Sequence, residues 1–281
     1  MELAKLGGAK RRKVCVGHRP QQPYDNAQSE GNRNRSGSHP GRSSEGKPNV
    51  TTPTSEMEAS KTVDFYFDFS STNSYFAAFL LPEICARHNA LVNWLPLHLA
   101  SLFRGTGFEV MAMTPRKARY LWRDHQRYSE FTGLPFKRPA HFPIKTSAAL
   151  RSVLTVARLA AGKSHADSTS EGKAASKPLS ASAVASFAQE VFRAYWVFDE
   201  DISDLNVIGA VARKLDMDAH ALVKLSEAAT ARSELRAITD DAIGRGVFGA
   251  PTFFVGDEMF WGKDRLDFVE RWLARGIPSS S

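Results

Sequence analysis

Residues 62–97 constrain the fold of this chain more than any other segment. The run 63–69 reads VDFYFDF, in which apolar side chains recur at every second position, as is typical of a strand with one buried face. A polar turn at 70–73 follows, and residues 74 to about 88 carry apolar side chains at helical spacing before a second apolar run at 91–97. Strand, helix and strand in succession predict two parallel strands joined by a right-handed crossover.

The next part of the chain, from about residue 100 to residue 244, is predicted to be helical. Apolar residues recur there at helical spacing in four segments: 148–161, 183–198, 206–215 and 219–244. Residues 162–182 interrupt this pattern with Lys, Ser, Ala and Gly and few large apolar side chains. That composition predicts a flexible surface loop.

The C-terminal part returns to strands. Residues 252–255 and 259–261 are apolar runs separated by Gly256 and Asp257, which predicts a β-hairpin. A last helix is predicted from about residue 264 to residue 274. The whole pattern predicts one α/β fold in which a helical region separates a βαβ unit from a ββα unit.

The composition is that of a globular chain. Of its 281 residues 42% are hydrophobic, and no apolar run reaches the length of about 18 residues that a membrane span needs. The formal charge of +7 does not indicate nucleic-acid binding, because residues 1–60 alone hold ten Lys or Arg against six Asp or Glu. A nucleic-acid-binding domain would carry a basic stripe with exposed aromatic residues on its folded part. We therefore expect neither a membrane nor a nucleic acid as a partner.

Residues 1–60 are predicted to form a disordered basic tail, because they are rich in Ser, Asn, Gly, Pro and Arg and lack periodicity. Lys and Arg at 10–13 interrupt the apolar residues that a secretory signal would need. An organelle-targeting or nuclear signal and a solvated tail stay open for this basic cluster. Met57 also leaves open whether the tail is present in the native protein.

Cysteine usage favours a reducing compartment. Cys15 and Cys85 are too few for a disulfide framework, and neither belongs to a Cys-x-x-Cys or zinc-ligand pattern. Cys85 falls within the predicted first helix, where a buried thiol packs like a small apolar residue. We expect a cytoplasmic protein with no metal site.

Ser71 lies in the predicted turn between the first strand and the first helix. The backbone N–H groups and the dipole of a helix N-terminus favour an anion at this place. A thiol with a pKa of about 8.5 is only about 3% ionised at pH 7, and lowering that pKa by about two units makes most of it thiolate. A serine hydroxyl that donates a hydrogen bond to the sulfur could supply part of that change. The alternative role for Ser71 is a helix N-cap, for which Ser74 is a second candidate.

A proline directly before an apolar strand is the second unusual feature. Pro251 precedes the run 252–255, although proline is confined to the edges and first positions of strands. If the Ala250–Pro251 bond is cis, the backbone of Ala250 turns outward and can pair with an extended peptide such as glutathione. If the bond is trans, Pro251 opens an ordinary edge strand, and only about 5–6% of X–Pro bonds in folded proteins are cis.

Three motifs in order resemble those of a known family. They are Asp68-Phe69-Ser70-Ser71, Phe248-Gly249-Ala250-Pro251 and Gly262-Lys263-Asp264-Arg265. Together they look like the 2-hydroxychromene-2-carboxylate isomerases and the similar kappa-class glutathione transferases. The resemblance implies a DsbA-like thioredoxin domain in two halves, 62–99 and 245–276, interrupted by an all-helical insertion domain at 100–244.

The resemblance also implies a glutathione site. Ser71 falls on the serine that hydrogen-bonds the glutathione sulfur. The backbone of Ala250 falls where the cysteinyl part is held, and Pro251 falls on the cis-proline.

Three charged residues complete that site by resemblance. Lys263 and Asp264 fall on the pair that binds the γ-glutamyl end, where a carboxylate can meet the ammonium group. Lys117 falls on a basic residue near the glycyl carboxylate, and its alternative role is a solvated helix lysine.

The chain departs from the family pattern at two places. The usual Ser-Pro-Tyr-Ser after the first strand is Ser-Thr-Asn-Ser at 71–74, which changes the helix entry and the substrate wall. Where relatives often carry Gly-Asn, this chain has Gly107-Phe108, so one polar contact to glutathione is expected to be missing.

The function implied by the resemblance is glutathione-dependent isomerisation of an aromatic 2-hydroxychromene-2-carboxylate. The bound thiolate would add to the unsaturated substrate, a bond would rotate, and the thiolate would leave, so that glutathione is a cofactor. A homodimer is implied as well. Two alternatives stay open: a kappa-like transferase that conjugates glutathione to an electrophile, and a thioredoxin-fold binding protein without catalysis. A disulfide oxidoreductase is disfavoured because no second sulfur lies near Ser71.

Overall fold

The computed structural model describes residues 61–106, 114–162 and 178–275. The predicted tail, the Gly107-Phe108 departure and most of the predicted loop at 162–182 lie outside these residues. Within the described ranges, none of the helices combines the length and apolar character that a membrane span requires.

The strands form one mixed sheet in the order β2-β1-β3-β4. β1 (Lys61–Phe67) pairs in parallel with β2 (Ala90–Pro96) and antiparallel with β3 (Thr252–Val255). β3 pairs antiparallel with β4 (Glu258–Trp261). The predicted parallel pair and the predicted hairpin are therefore confirmed, with ends that differ by one or two residues.

Helices fill the connections. α1 (Thr72–Arg87) joins β1 to β2. The helices between β2 and β3 are α2 (Leu99–Thr106), α3 (Pro115–Thr132), α4 (Ser147–Ala160), α5 (Pro178–Trp196), α6 (Leu205–Lys214), α7 (Ala219–Ser226) and α8 (Ala229–Gly244). After β4, a 3-10 turn at Lys263–Arg265 leads into α9 (Leu266–Arg275). The predicted helical insertion between the two sheet-forming halves is confirmed.

Two predicted boundaries in the insertion were wrong. The segment 219–244 is two helices, because Ala228 has an extended backbone (φ −66°, ψ 153°) that separates α7 from α8. The predicted loop at 162–182 ends earlier than expected, because α5 already begins at Pro178. Proline is well suited to a first helical turn, where its missing N–H has no intrahelical partner to lose.

The two faces of the sheet are packed differently. On one face, Phe65 and Phe253 stack with ring centroids 5.4 Å apart, and α1, α5 and α9 cover them. On the other face, under α2 and α8, Tyr66 donates a hydrogen bond to Asp241 at 3.1 Å and accepts one from Arg245 at 2.8 Å. Burial raises the pKa of Tyr66 to about 12. The central strand β1 contributes side chains to both faces, and its C-terminal end leads into the Ser71 turn.

Candidate functional site

Ser71 is the N-cap of α1. Its backbone is extended (φ −90°, ψ 111°), and its Oγ accepts a hydrogen bond from the Ser74 N–H at 3.1 Å. Its own N–H donates to the carbonyl of Asp68 at 3.0 Å, which closes the turn after β1. The capping alternative is therefore confirmed for Ser71, and Ser74 is not the cap.

The same hydroxyl joins two distant parts of the chain. Ser71 Oγ donates a hydrogen bond to the carbonyl oxygen of Ala250 at 2.9 Å, across 179 positions of sequence. The Ala250–Pro251 bond is cis, and the Pro251 carbonyl accepts from the Gly262 N–H at 3.0 Å. The structure thus brings Ser71, Ala250 and Pro251 together at the carboxyl end of β1.

Three buried aromatic residues, Phe69, Phe192 and Trp196, form the floor beneath the Ser71 turn. Trp196 is fully buried and donates its indole N–H to the carbonyl of Phe69 at 2.9 Å. The Phe69 ring, also fully buried, lies 4.7 Å from the Phe192 ring. These contacts fix the backbone immediately before Ser71.

Asp68 sits beneath the turn with only 1% of its surface exposed. Its Oδ1 accepts two hydrogen bonds from Ser70, one from the N–H and one from the hydroxyl, both at 2.8 Å. Its Oδ2 accepts from the Leu99 N–H at 3.0 Å and from Thr146 Oγ1 at 3.2 Å. Asp68 belongs to the first of the three motifs, but its role was not predicted from the sequence. An acidic residue closing an otherwise apolar strand was the available signal.

The side chains of Lys263 and Asp264 lie in different environments, the first partly buried on an aromatic ring and the second exposed. The Lys263 ammonium lies 4.1 Å from the ring centroid of Tyr128 on α3, and burial lowers the pKa of this lysine. The Asp264 carboxylate is exposed and pairs with Arg265 at 3.3 Å. Gly262 precedes them with φ +104°, a backbone conformation that side chains other than glycine rarely adopt. The turn itself packs against α1, the helix that Ser71 caps.

His125 lies beside Lys263 and was missed by the sequence analysis. Its ring is 6.4 Å from that of Phe76 and 5.9 Å from that of Trp122. Its Nδ1 is buried and has no hydrogen-bond partner among the described residues. Burial, reinforced by the Lys263 charge, lowers the pKa of His125 to about 4. The imidazole is therefore neutral at pH 7.

Lys117 is exposed in the first turn of α3. Its backbone N–H donates to the hydroxyl of the N-cap Thr114 at 3.3 Å. Its ammonium pairs with no carboxylate in the described part of the chain, and no described contact joins it to Ser71. Lys117 therefore lies on the exposed surface of α3.

Cys85 does not supply a reactive thiol. It is buried within α1 with 1% of its surface exposed, and this burial raises the pKa of the thiol to about 12. The predicted packing role of Cys85 agrees with this position.

An aromatic pair borders Ala250 on the side of β4. The rings of Phe248 and Trp261 lie 5.0 Å apart and are 41% and 50% exposed. The Trp261 indole rests on Gly249, where an added Cβ would lie 2.6 Å from the indole nitrogen. Gly249 therefore allows the indole to approach the backbone next to Ala250.

Comparisons with known proteins agree with this fold. The model of the DSBA-like thioredoxin domain family matches residues 62–170 and 168–274. The chain is 31% identical over 219 residues to a 2-hydroxychromene-2-carboxylate isomerase of Pseudomonas putida, covering 76% of this chain and 94% of the relative. It is 25% identical over 233 residues to glutathione S-transferase kappa 2 of Caenorhabditis elegans, covering 78% and 94%. The solved structure of a 2-hydroxychromene-2-carboxylate isomerase aligns with a TM-score of 0.62 at 27% identity, covering 76% of this chain and 95% of that one.

Proposed function

Because this chain belongs to the DSBA-like thioredoxin domain family and to the family of the 2-hydroxychromene-2-carboxylate isomerases, we propose that it is a glutathione-dependent isomerase of small aromatic compounds of that type. The relative from P. putida is matched over 94% of its length, which supports a shared activity. The proposal includes a cytoplasmic homodimer and the glutathione contacts of Ser71, Ala250, Pro251, Lys263 and Asp264, with Lys117 at the glycyl end.

The observation that carries the proposal is the 2.9 Å hydrogen bond from Ser71 Oγ to the Ala250 carbonyl. It places a hydroxyl donor and a peptide backbone side by side at the N-terminus of a 16-residue helix. The Ala250 N–H donates no hydrogen bond to another described residue, so it is available to an extended peptide. A tripeptide with a central cysteine fits such a set: backbone pairing at Ala250 and the sulfur at Ser71.

The interaction free energies available at this site are large enough to keep a bound thiol ionised at pH 7. Lowering a thiol pKa by about two units requires about 2.7 kcal/mol. A helix N-terminus contributes about 0.3–1 kcal/mol, and a hydrogen bond to a charged group about 1.5–3 kcal/mol. The Ser71 hydroxyl and α1 together therefore supply a stabilisation of the required size.

Glutathione, when bound, supplies the thiolate nucleophile of the isomerisation. In this chain, the Ser71 hydroxyl would turn its one hydrogen bond from the Ala250 carbonyl to the sulfur, and the Ala250 backbone would orient the cysteinyl unit. Asp264 would meet the γ-glutamyl ammonium group, and Lys263 the adjacent carboxylate. Their opposite charges match the zwitterionic end of the tripeptide.

The test is a glutathione titration of the wild type and of Ser71→Gly, followed by the ultraviolet absorbance of the thiolate across pH. Glycine keeps most of the capping stability, since the Ser-to-Gly change at an N-cap costs only a few tenths of a kcal/mol. We expect the pKa of the bound thiol to rise by about one to two units in Ser71→Gly. Ser233→Ala, an exposed serine of α8, is the matched control. Equal ionisation in Ser71→Gly and wild type would show that Ser71 does not stabilise the thiolate.

A kappa-like glutathione transferase is the second candidate function, favoured by the match to the C. elegans protein. Glutathione is regenerated by an isomerase and consumed by a transferase. Quantifying free glutathione after many turnovers separates them: an unchanged amount supports the isomerase. Failure to bind glutathione in calorimetry would instead support a non-catalytic binding protein.

A further inference from the structure

The carboxylate of Asp68 is held by four donors and by no cation among the described residues. Two backbone N–H groups and two hydroxyls point at its two oxygens, at distances from 2.8 to 3.2 Å. A carboxylate accepts at both oxygens and suits this arrangement, whereas an amide would turn an NH₂ group toward two of the donors. The site is therefore built for a charged, fully buried acceptor directly below the Ser71 turn.

The donors come from three segments that are distant in sequence. Ser70 belongs to the turn itself, Leu99 is the first residue of α2, and Thr146 is the N-cap of α4. The Asp68 backbone carbonyl also accepts the hydrogen bond from the Ser71 N–H. One residue thus connects Ser71 to two helices of the insertion, α2 and α4.

Thr146 is an independent sign that this connection is specific. A threonine at an N-cap ordinarily uses its hydroxyl to accept a bond from its own helix. Thr146 makes no such bond, and its backbone is helical (φ −108°, ψ −6°). Its hydroxyl is buried and donates to Asp68 Oδ2 instead.

His98 lies near Asp68, between α2 and α4, and is a neutral neighbour of the carboxylate. Its two ring nitrogens lie 2.7 Å from Ser101 Oγ and 3.2 Å from Ser147 Oγ. Burial lowers the pKa of His98, so its imidazole stays neutral near pH 7 although Asp68 acts in the opposite direction. The hydroxyls of Thr146 and Ser70 therefore remain the side-chain partners of Asp68.

We propose that Asp68 is the positioning residue of the Ser71 hydroxyl, which it sets in place by anchoring the turn to α2 and to Thr146 of α4. This inference rests on the proposed function. Asp68 is buried below the turn, so it is proposed to act through Ser71 and not on the ligand directly. The bonds to Ser70 hold the turn in the conformation that directs Ser71 Oγ toward Ala250, and the bonds to Leu99 and Thr146 keep that turn fixed to the helical insertion.

The decisive variant is Thr146→Val, which removes one hydroxyl donor and keeps the shape of the side chain. Thr155→Val is its matched control, because Thr155 is also a buried threonine of α4 but donates to its own helix, at Arg151 O. Asp68→Asn is the second variant, and Thr146→Ser, which keeps a hydroxyl at this position, is the conservative rescue. Each is titrated with glutathione, and the pKa of the bound thiol is read from the thiolate absorbance across pH.

We expect Thr146→Val and Asp68→Asn to raise the pKa of the bound thiol by about one unit, a tenfold loss of thiolate below that pKa. The affinity for the protonated thiol should change less than about threefold, and Thr155→Val and Thr146→Ser should resemble the wild type. If Thr146→Val folds and its bound thiol titrates like that of the wild type, the Asp68 proposal is wrong while the proposed function stands. A wild type that does not ionise glutathione overturns both.

Discussion

The two ends of the candidate site are constructed in different ways. The sulfur end, formed by Ser71 and Ala250, is assembled from hydrogen bonds between distant segments over a buried aromatic floor. The charged end, formed by Lys263 and Asp264, consists of one exposed carboxylate and one ammonium that rests on an aromatic ring, and Lys117 is an exposed ammonium proposed for the opposite, glycyl end. The fold itself therefore fixes the atoms around the proposed sulfur position. The charges that would attract the rest of the tripeptide are held loosely.

The largest effect should come from the floor of the sulfur end. Phe69→Ala removes a fully buried ring that packs on Phe192, and such a change typically costs about 3–5 kcal/mol of unfolding free energy. Phe131→Ala is the matched control on α3, because Phe131 is 85% exposed and should cost less than about 0.5 kcal/mol. Urea denaturation of both variants measures the two values. Similar losses at the two positions would refute the contrast between a buried and an open end.

A smaller loss of stability should appear on acidification, and it should come from His125, which lies beside Lys263 of the charged end. The pKa of His125 is lowered to about 4 in the folded protein, from 6.5 in the unfolded chain. The unfolded chain therefore takes up the proton first, and stability is lost as the pH falls from about 6.5 toward 4. At about 1.4 kcal/mol per pKa unit, reduced for partial exposure to solvent, we expect His125 to account for about 2 kcal/mol of that loss.

His125→Phe tests this expectation, because phenylalanine keeps an aromatic ring in the cluster but cannot titrate. Its unfolding free energy should fall by about 2 kcal/mol less than that of the wild type between pH 7 and pH 4. His220→Phe changes an exposed histidine of α7 and serves as the control. If the unfolding free energies of His125→Phe and the wild type depend on pH in the same way, His125 does not cause the loss of stability in acid.

The smallest effects should come from the exposed charges. Exposed ion pairs contribute about 0.2–1 kcal/mol, so Asp264→Asn should weaken glutathione binding by about threefold at low salt. Lys117→Met should weaken it less than about twofold, and both effects should shrink as salt screens the charges. Neither variant should alter the pKa of the bound thiol, which Ser71 is proposed to set. Calorimetry at two ionic strengths measures the affinities, and a tenfold loss in Lys117→Met would invert the proposed ranking.

The sequence predicted the sheet and its connections well, for a physical reason. The alternation at 63–69 and the Gly256-Asp257 turn are local signals, and they correspond to β1 and the hairpin of the structure. The split between α7 and α8 was not predictable in this way. Residues 227 and 228 carry no Gly or Pro, and the break depends on one extended residue, Ala228.

The candidate site was predictable only in part. Ser71, Ala250 and Pro251 were identified because their motifs stand in order along the chain, and the structure brings them together. The four hydrogen bonds to the buried Asp68 carboxylate were not predicted, because two of their donors, Leu99 and Thr146, lie 31 and 78 positions away in the sequence. Long-range hydrogen bonds of this kind leave no periodic signal in a sequence.

The close approach of Trp261 to Gly249 has a practical consequence. Trp94 and Trp196 are buried and Trp122 and Trp272 are partly buried, whereas the half-exposed Trp261 indole lies against the residue that precedes Ala250. An indole in that position has a fluorescence emission that depends on the solvent and peptide groups around it. The chain therefore carries its own optical reporter beside the proposed peptide-binding backbone. Replacing Gly249 with a larger residue would displace that reporter.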